Sequence, residues 1–86
     1  MIYSKECLET FLEKQGQLFD EPVAETLQEA DDFLDDCMAV VVKNLREVRA
    51  YLEEVGADVD GMSNEELKEQ SEVFCLPNGT YLIVEG

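Results

Sequence analysis

The side chains best equipped for chemistry in this chain are carboxylates. Between Gln15 and Val42 stand eight acids, Asp20, Glu21, Glu25, Glu29, Asp31, Asp32, Asp35 and Asp36, with no Lys or Arg among them. A second block, Ala50 to Leu67, holds six more acids and again no base. Three of the six basic residues, Lys43, Arg46 and Arg49, fall between the two blocks. Paired carboxylates could move protons or hold a cation. The rest of the inventory argues against catalysis. There is no histidine, which removes Ser–His and Cys–His nucleophiles, histidine-bearing zinc sites and the usual proton shuttle near neutral pH. Cys7, Cys37 and Cys75 are widely spaced, form no C-x-x-C pair and have no visible source of thiolate stabilisation, so they read as buried reduced thiols. The five glycines stand singly, so no phosphate-cradling loop is present. A chain of 86 residues can hardly build both a core and an enclosed pocket. The expectation is a binding protein, neither an enzyme nor a cofactor carrier.

Metal binding is not expected either. Asp31, Asp32, Asp35 and Asp36 all come from one helix and cannot surround an ion. Asp58-x-Asp60-Gly61 has the look of a calcium loop. Aligning Gly61 with that loop's invariant glycine, however, puts Gly56 at the first ligand position and Leu67 at the last. Asn78-Gly79-Thr80 matches a glycosylation acceptor, a match without meaning in a cytosolic hairpin turn.

The elements that position these residues follow from apolar periodicity. Ser4 caps a first helix with Cys7, Leu8, Phe11 and Leu12 on one stripe, and Gly16 is expected to end it in a left-handed conformation. Asp20-Glu21-Pro22 suits the start of a second helix, with Val23, Leu27, Ala30 and Leu34 facing inward. Cys37 to Val42 admits two readings. No Gly or Pro interrupts Pro22 to Gly56, so one long helix is possible; three consecutive valines favour a buried strand. Asn44 with Glu47 marks a fresh helix start, followed by Leu45, Val48, Leu52 and Val55 and closed by Gly56. Ser63 and Glu66 form a capping box for a short fourth helix. Glu72–Leu76 and Thr80–Glu85 read as a β-hairpin, with Pro77-Asn78 at the centre of a type I turn and Gly79 at the left-handed bulge position. Both arms are apolar on both faces, so the hairpin should be covered on two sides. The expected fold is α+β: one domain, residues 1–86, in the order ααβααββ, its three-stranded sheet ending in a C-terminal hairpin packed on helices.

At 45% hydrophobic residues the chain has enough apolar material to fold, despite a formal net charge of −15. That charge disfavours nucleic acid and anionic membranes as direct partners and favours capture of basic proteins. The N-terminus has no apolar stretch of signal-peptide length, and the longest apolar run, Cys37 to Val42, is far too short to span a membrane, so a cytoplasmic location is expected. On the second helix Glu25, Glu29, Asp32 and Asp36 are spaced to share an outward face, with Asp31 and Asp35 beside them. Asp31/Asp35 and Asp32/Asp36 set like charges one turn apart, and acids at a helix C-terminus oppose its dipole. Two readings compete: a solvated face of an acidic protein, or a surface for a basic partner such as a nucleic-acid-binding protein. A second binding class is a general interaction module, of immunity or antitoxin type, anchored by Tyr3, Tyr51 or Tyr81. Either class could act as a monomer or a homodimer.

Gly56-Ala57-Asp58-Val59-Asp60-Gly61-Met62-Ser63, Glu72-Val73-Phe74 and Leu76 through Glu85, together with Phe33-Leu34-Asp35-Asp36-Cys37-Met38, carry a resemblance over most of the chain. The sequence resembles a family of short acidic proteins of Firmicutes, many carried on mobile elements of gut bacteria. Some members are labelled glyoxalase-like, but that chemistry uses metal ligands including histidine and a larger paired-module fold. The mobile-element setting implies a defence-evasion role, such as an anti-CRISPR or anti-restriction protein.

Overall fold

The computed structural model describes residues 2–84. Four helices flank a three-stranded antiparallel sheet, in the order α1 (Lys5–Lys14), α2 (Leu27–Asp36), β1 (Val40–Val42), α3 (Leu45–Glu54), α4 (Asn64–Lys68), β2 (Val73–Cys75) and β3 (Tyr81–Ile83). The fold is α+β with the expected element order, and the valine run is a strand, but a short edge strand with Val41 exposed and not the buried central strand expected, because the C-terminal β3 takes the middle of the sheet. The strands lie in the order β1-β3-β2. Val40, Val41 and Val42 pair with Ile83, Leu82 and Tyr81, which on their other side face Val73, Phe74 and Cys75.

Alternation along the strands sends successive side chains to opposite faces, and both faces are covered. Phe74 and Leu82 point to a layer made by α1 and α2, where they pack with Leu8, Phe11, Ala30 and Leu34. Val73 and Ile83 point to the other layer and meet Val48 and Leu52 of α3, Leu67 of α4 and Val59 of the intervening loop. This two-sided cover is what the doubly apolar hairpin required. All four phenylalanines sit in the first layer, Phe11 at the centre with ring centroids 5.8 Å from Phe33 and 5.5 Å from Phe74.

Helix starts are set by side-chain caps, each of which satisfies an amide that the first turn leaves open. Ser4, Thr26, Asn44 and Ser63 accept from the N–H groups of Cys7, Glu29, Glu47 and Glu66. At Ser63 and Glu66 the reciprocal bond completes the capping box. The hairpin turn is also as expected: Gly79 has φ +87° and donates to Leu76, and Asn78 Oδ1 accepts from the Thr80 N–H.

Two expectations fail near the first connection. α1 gives way to a 3-10 turn at Gln15–Gln17, and Gly16 is not among the residues with positive φ. α2 begins at Leu27, a full turn and more after Pro22, which leaves Val23 exposed and off the inward stripe. The physical reason is Gln15. Its buried amide donates to the carbonyls of Leu12 and Ala24 and accepts from the N–H groups of Val23 and Ala24. Backbone groups that a helix would have used at Val23 and Ala24 are therefore satisfied by a side chain, and the segment stays irregular until Thr26 can cap.

α2 and α3 end alike. Met38 N–H donates to Asp35 and Ala39 N–H to Leu34, just as Gly56 donates to Glu53 and Ala57 to Leu52. Both are Schellman motifs with a left-handed residue after the cap. At Gly56 (φ +92°) that conformation is free of side-chain strain, whereas Met38 (φ +57°) carries an exposed side chain through it. Among the described residues no helix is long and apolar enough to cross a membrane.

Candidate acidic binding surface

The six carboxylates expected to form one surface divide by what the backbone offers them. Glu25 precedes the Thr26 cap and is not helical, so it does not extend the row on α2. Glu29 occupies the third helical position. Its N–H donates to Thr26 Oγ1 and its own Oε1 accepts from the Glu25 N–H at 3.0 Å. It is exposed, yet it serves the helix start, as a carboxylate at the positive end of a helix can.

Asp31 must be corrected outright. It is only 5% exposed, and its Oδ1 accepts from the N–H groups of both Ile2 and Tyr3 at 2.9 Å. The charge faces inward because Asp31 follows Leu27 by four positions and precedes Leu34 by three, on the flank of the buried stripe. It ties the chain's start to α2. The same start is fixed again by Tyr3, whose hydroxyl donates to Ala39 O at 2.7 Å. Tyr3 is thus a structural tie across the end of α2 and the approach to β1.

Asp32, Asp35 and Asp36 remain fully outward. With about 100° per residue, they and Glu29 lie within an arc of about 120° opposite Ala30 and Leu34. Asp32 accepts from the Gln28 amide at 3.0 Å. No ion pair joins these acids to Lys43, Arg46 or Arg49 among the described residues. Arg49 is engaged elsewhere: its guanidinium donates to Val59 O and Met62 O, both at 2.6 Å, and fastens the loop between α3 and α4. The field of the outward acids reaches their neighbours. Burial raises the Cys37 thiol above its ordinary pKa, with Asp36 adding to the effect; burial likewise raises the Tyr3 hydroxyl, with Asp35 the next contributor.

Among the described residues there is no pocket and no group of three or more His, Cys, Asp or Glu arranged to hold a metal ion. All three cysteines are free, with Cys7 buried and Cys37 and Cys75 half-buried. Burial, then the Asp31 charge, pushes the Cys7 thiol up to about 11. Gln15, Arg49 and Asp31 are the polar side chains whose structural roles the apolar pattern concealed. Each nevertheless stands at a stripe position: Gln15 after Leu8 and Phe11, Arg49 between Leu45 and Leu52, Asp31 between Leu27 and Leu34. A polar residue at such a position signals a buried hydrogen-bond hub.

No protein-family model, curated protein or solved structure matches the chain.

Proposed function

We propose that this is a non-catalytic, cytoplasmic acidic binding protein that occupies a basic, nucleic-acid-binding site on a partner protein. The observation that carries this reading is the outer face of α2, where Asp32, Asp35 and Asp36 stand exposed and, among the described residues, without ion pairs in a chain of net charge −15. Carboxylates on one helix face repeat about every 5.4 Å along its axis. Phosphates follow one strand of a duplex at about 3.4 Å, so an Arg/Lys groove built for nucleic acid meets a comparable density of charge. Such a groove gains steering at long range and charge-assisted hydrogen bonds at contact. The resemblance to short acidic proteins of mobile elements agrees with an anti-restriction or anti-CRISPR role.

The test is capture of basic proteins from bacterial lysate on immobilised protein at low and high salt, with duplex DNA as competitor. Retention should fall steeply as salt rises and DNA should displace the retained protein. Changing Asp32, Asp35 and Asp36 together to Asn should abolish retention while leaving the fold intact, because these three, unlike Glu29 and Asp31, hold no backbone amide. Retention indifferent to salt, to DNA and to the triple change refutes the reading. Salt-insensitive retention lost in Tyr81→Ala would instead mark a general interaction module of the immunity or antitoxin kind.

A further inference from the structure

The two edges of the sheet are covered to different extents. In an antiparallel ladder, alternate residues direct their N–H and C=O to one neighbour and the residues between direct theirs to the other side. On β2 and β3 the bonds Val84 N–H to Glu72 O and Leu76 N–H to Thr80 O set that alternation. Leu82 therefore faces β2, Tyr81 and Ile83 face β1, and by register Val40 and Val42 face β3. Val73 and Cys75 on β2 point to the outer edge; the groups of Val73 are taken, its N–H donating to Gln70 O and its C=O accepting from the Gln17 amide at 2.9 Å, whereas among the described residues those of Cys75 are not. Val41 on β1 points to the opposite outer edge, and among the described residues nothing takes its N–H or C=O. Sheet edges are ordinarily guarded by being very short, or by charge, proline, a bulge or a covering segment, and of these β1 has only its shortness. β1 is three valines. Val41 is 45% exposed, and Met38 just before the strand is 79% exposed.

From this geometry we infer that β1 is a self-association edge, whose occupant is β1 of a second copy of this chain, paired antiparallel about Val41. Charge complementarity selects this occupant. Asp35 and Asp36 precede the strand and Lys43 and Arg46 follow it, so the segment is negative at one end and positive at the other. An antiparallel pair with Val41 opposite itself sets Val40 against Val42, Ala39 against Lys43 and Met38 against Asn44. Each copy's Lys43 then approaches the other's α2 C-terminus, where helix dipole and Asp35/Asp36 both favour a cation. The two Val41 residues exchange main-chain hydrogen bonds, and their side chains meet on the α1/α2 side, as Met38 gains cover. The two-fold axis stands normal to the sheet, so one six-stranded sheet results with both α2 helices on the same side.

The inference does not depend on the nucleic-acid-mimic reading, and salt separates the two. Two bodies of charge −15 repel, so self-association strengthens as salt screens that repulsion, whereas capture by a basic partner weakens. The experiment is sedimentation equilibrium of the full chain at about 0.3 M NaCl, where exposed charges are screened within several ångströms. Between about 10 μM and about 1 mM, the mass should climb from 9.7 kDa toward twice that value. Val41→Pro should weaken association at least about tenfold; its N–H faces outward, so no internal ladder bond is lost. Lys43→Glu, independent of that backbone change, should weaken association several-fold, and adding Asp35→Lys with Asp36→Lys should restore it. A mass fixed at the monomer value, or a dimer indifferent to both Val41→Pro and Lys43→Glu, overturns the inference.

Discussion

Replacing Met38 by glycine should stabilise the protein. Met38 is the left-handed residue of the Schellman motif that ends α2, at φ +57°, and its side chain is 79% exposed. Truncation therefore removes little buried surface. An L-residue in the left-handed region costs about 1–2 kcal/mol, which glycine does not incur. Against this, the more flexible unfolded chain of a glycine variant offsets about 0.4–1 kcal/mol. The balance is a gain of about 0.5–1 kcal/mol. In urea, with a slope near 1 kcal/mol per molar for a chain this small, the midpoint should rise by about 0.5–1 M. The measurement belongs at low protein concentration, where any association through β1 is dissolved and the monomer alone is weighed. The motif that ends α3 is the internal control, because there Gly56 holds the same position at φ +92°. Gly56→Ala should lose about 1 kcal/mol or more from the opposite change. A Met38→Gly midpoint equal to or below the parent's would refute the strain argument.

Two further perturbations probe structural groups outside the candidate surface. Arg49→Lys should destabilise by about 1–3 kcal/mol, since one ammonium cannot reproduce a planar fork reaching both Val59 O and Met62 O, and hydrogen exchange should quicken in residues 57–63 first. Cys7 makes alkaline stability fall in a defined window. The folded thiol holds its proton up to about 11 while the unfolded thiol loses it near 9.0. The contribution is thus complete below pH 9, and it declines as pH rises through the folded value, by a total of order 3 kcal/mol. Denaturation between pH 8 and pH 11 should show this slope in the parent and a smaller one in Cys7→Ala, in which the raised Tyr3 hydroxyl still contributes above pH 10.

Elements whose boundaries rest on local chemistry were legible in the residues themselves. Ser4, Asn44 and Ser63 cap the helices they were expected to cap, and Pro77-Asn78-Gly79 makes the expected turn. The start of α2 was not legible in the same way. Asp20-Glu21-Pro22 is a good local start, and it loses to Gln15, which binds Val23 and Ala24 across the connection. The start the fold uses is Thr26 with Glu29, an N-cap with an acid at the third helical position like Asn44 with Glu47, and the expected start overlooks this pair. The strand β1 could not be separated from a helix by periodicity, since an unbroken apolar run fits both. Tertiary pairing with β3 decides it.

The acidic surface was legible as a count of charges and illegible as a division of labour, and helix polarity explains the difference. A helix leaves N–H groups open at its start and C=O groups open at its end. Glu29, in the first turn of α2, finds donors in Glu25 and Thr26, and Asp31, one position into the second turn, finds them in the irregular segment of Ile2 and Tyr3 before α1. Asp35 and Asp36 stand in the last turn, where the backbone offers only carbonyls, and no ion pair within the described chain answers them. Acids placed there are unfavourable for the isolated helix by a few tenths of a kcal/mol each. Among the described residues no donor makes use of their charge. A cation from outside, whether Lys43 of a second copy or the arginines of a nucleic-acid groove, would turn this placement from a cost into a gain. Salt parts the two: association of two copies strengthens as the repulsion between their like net charges is screened, whereas capture by a basic groove weakens.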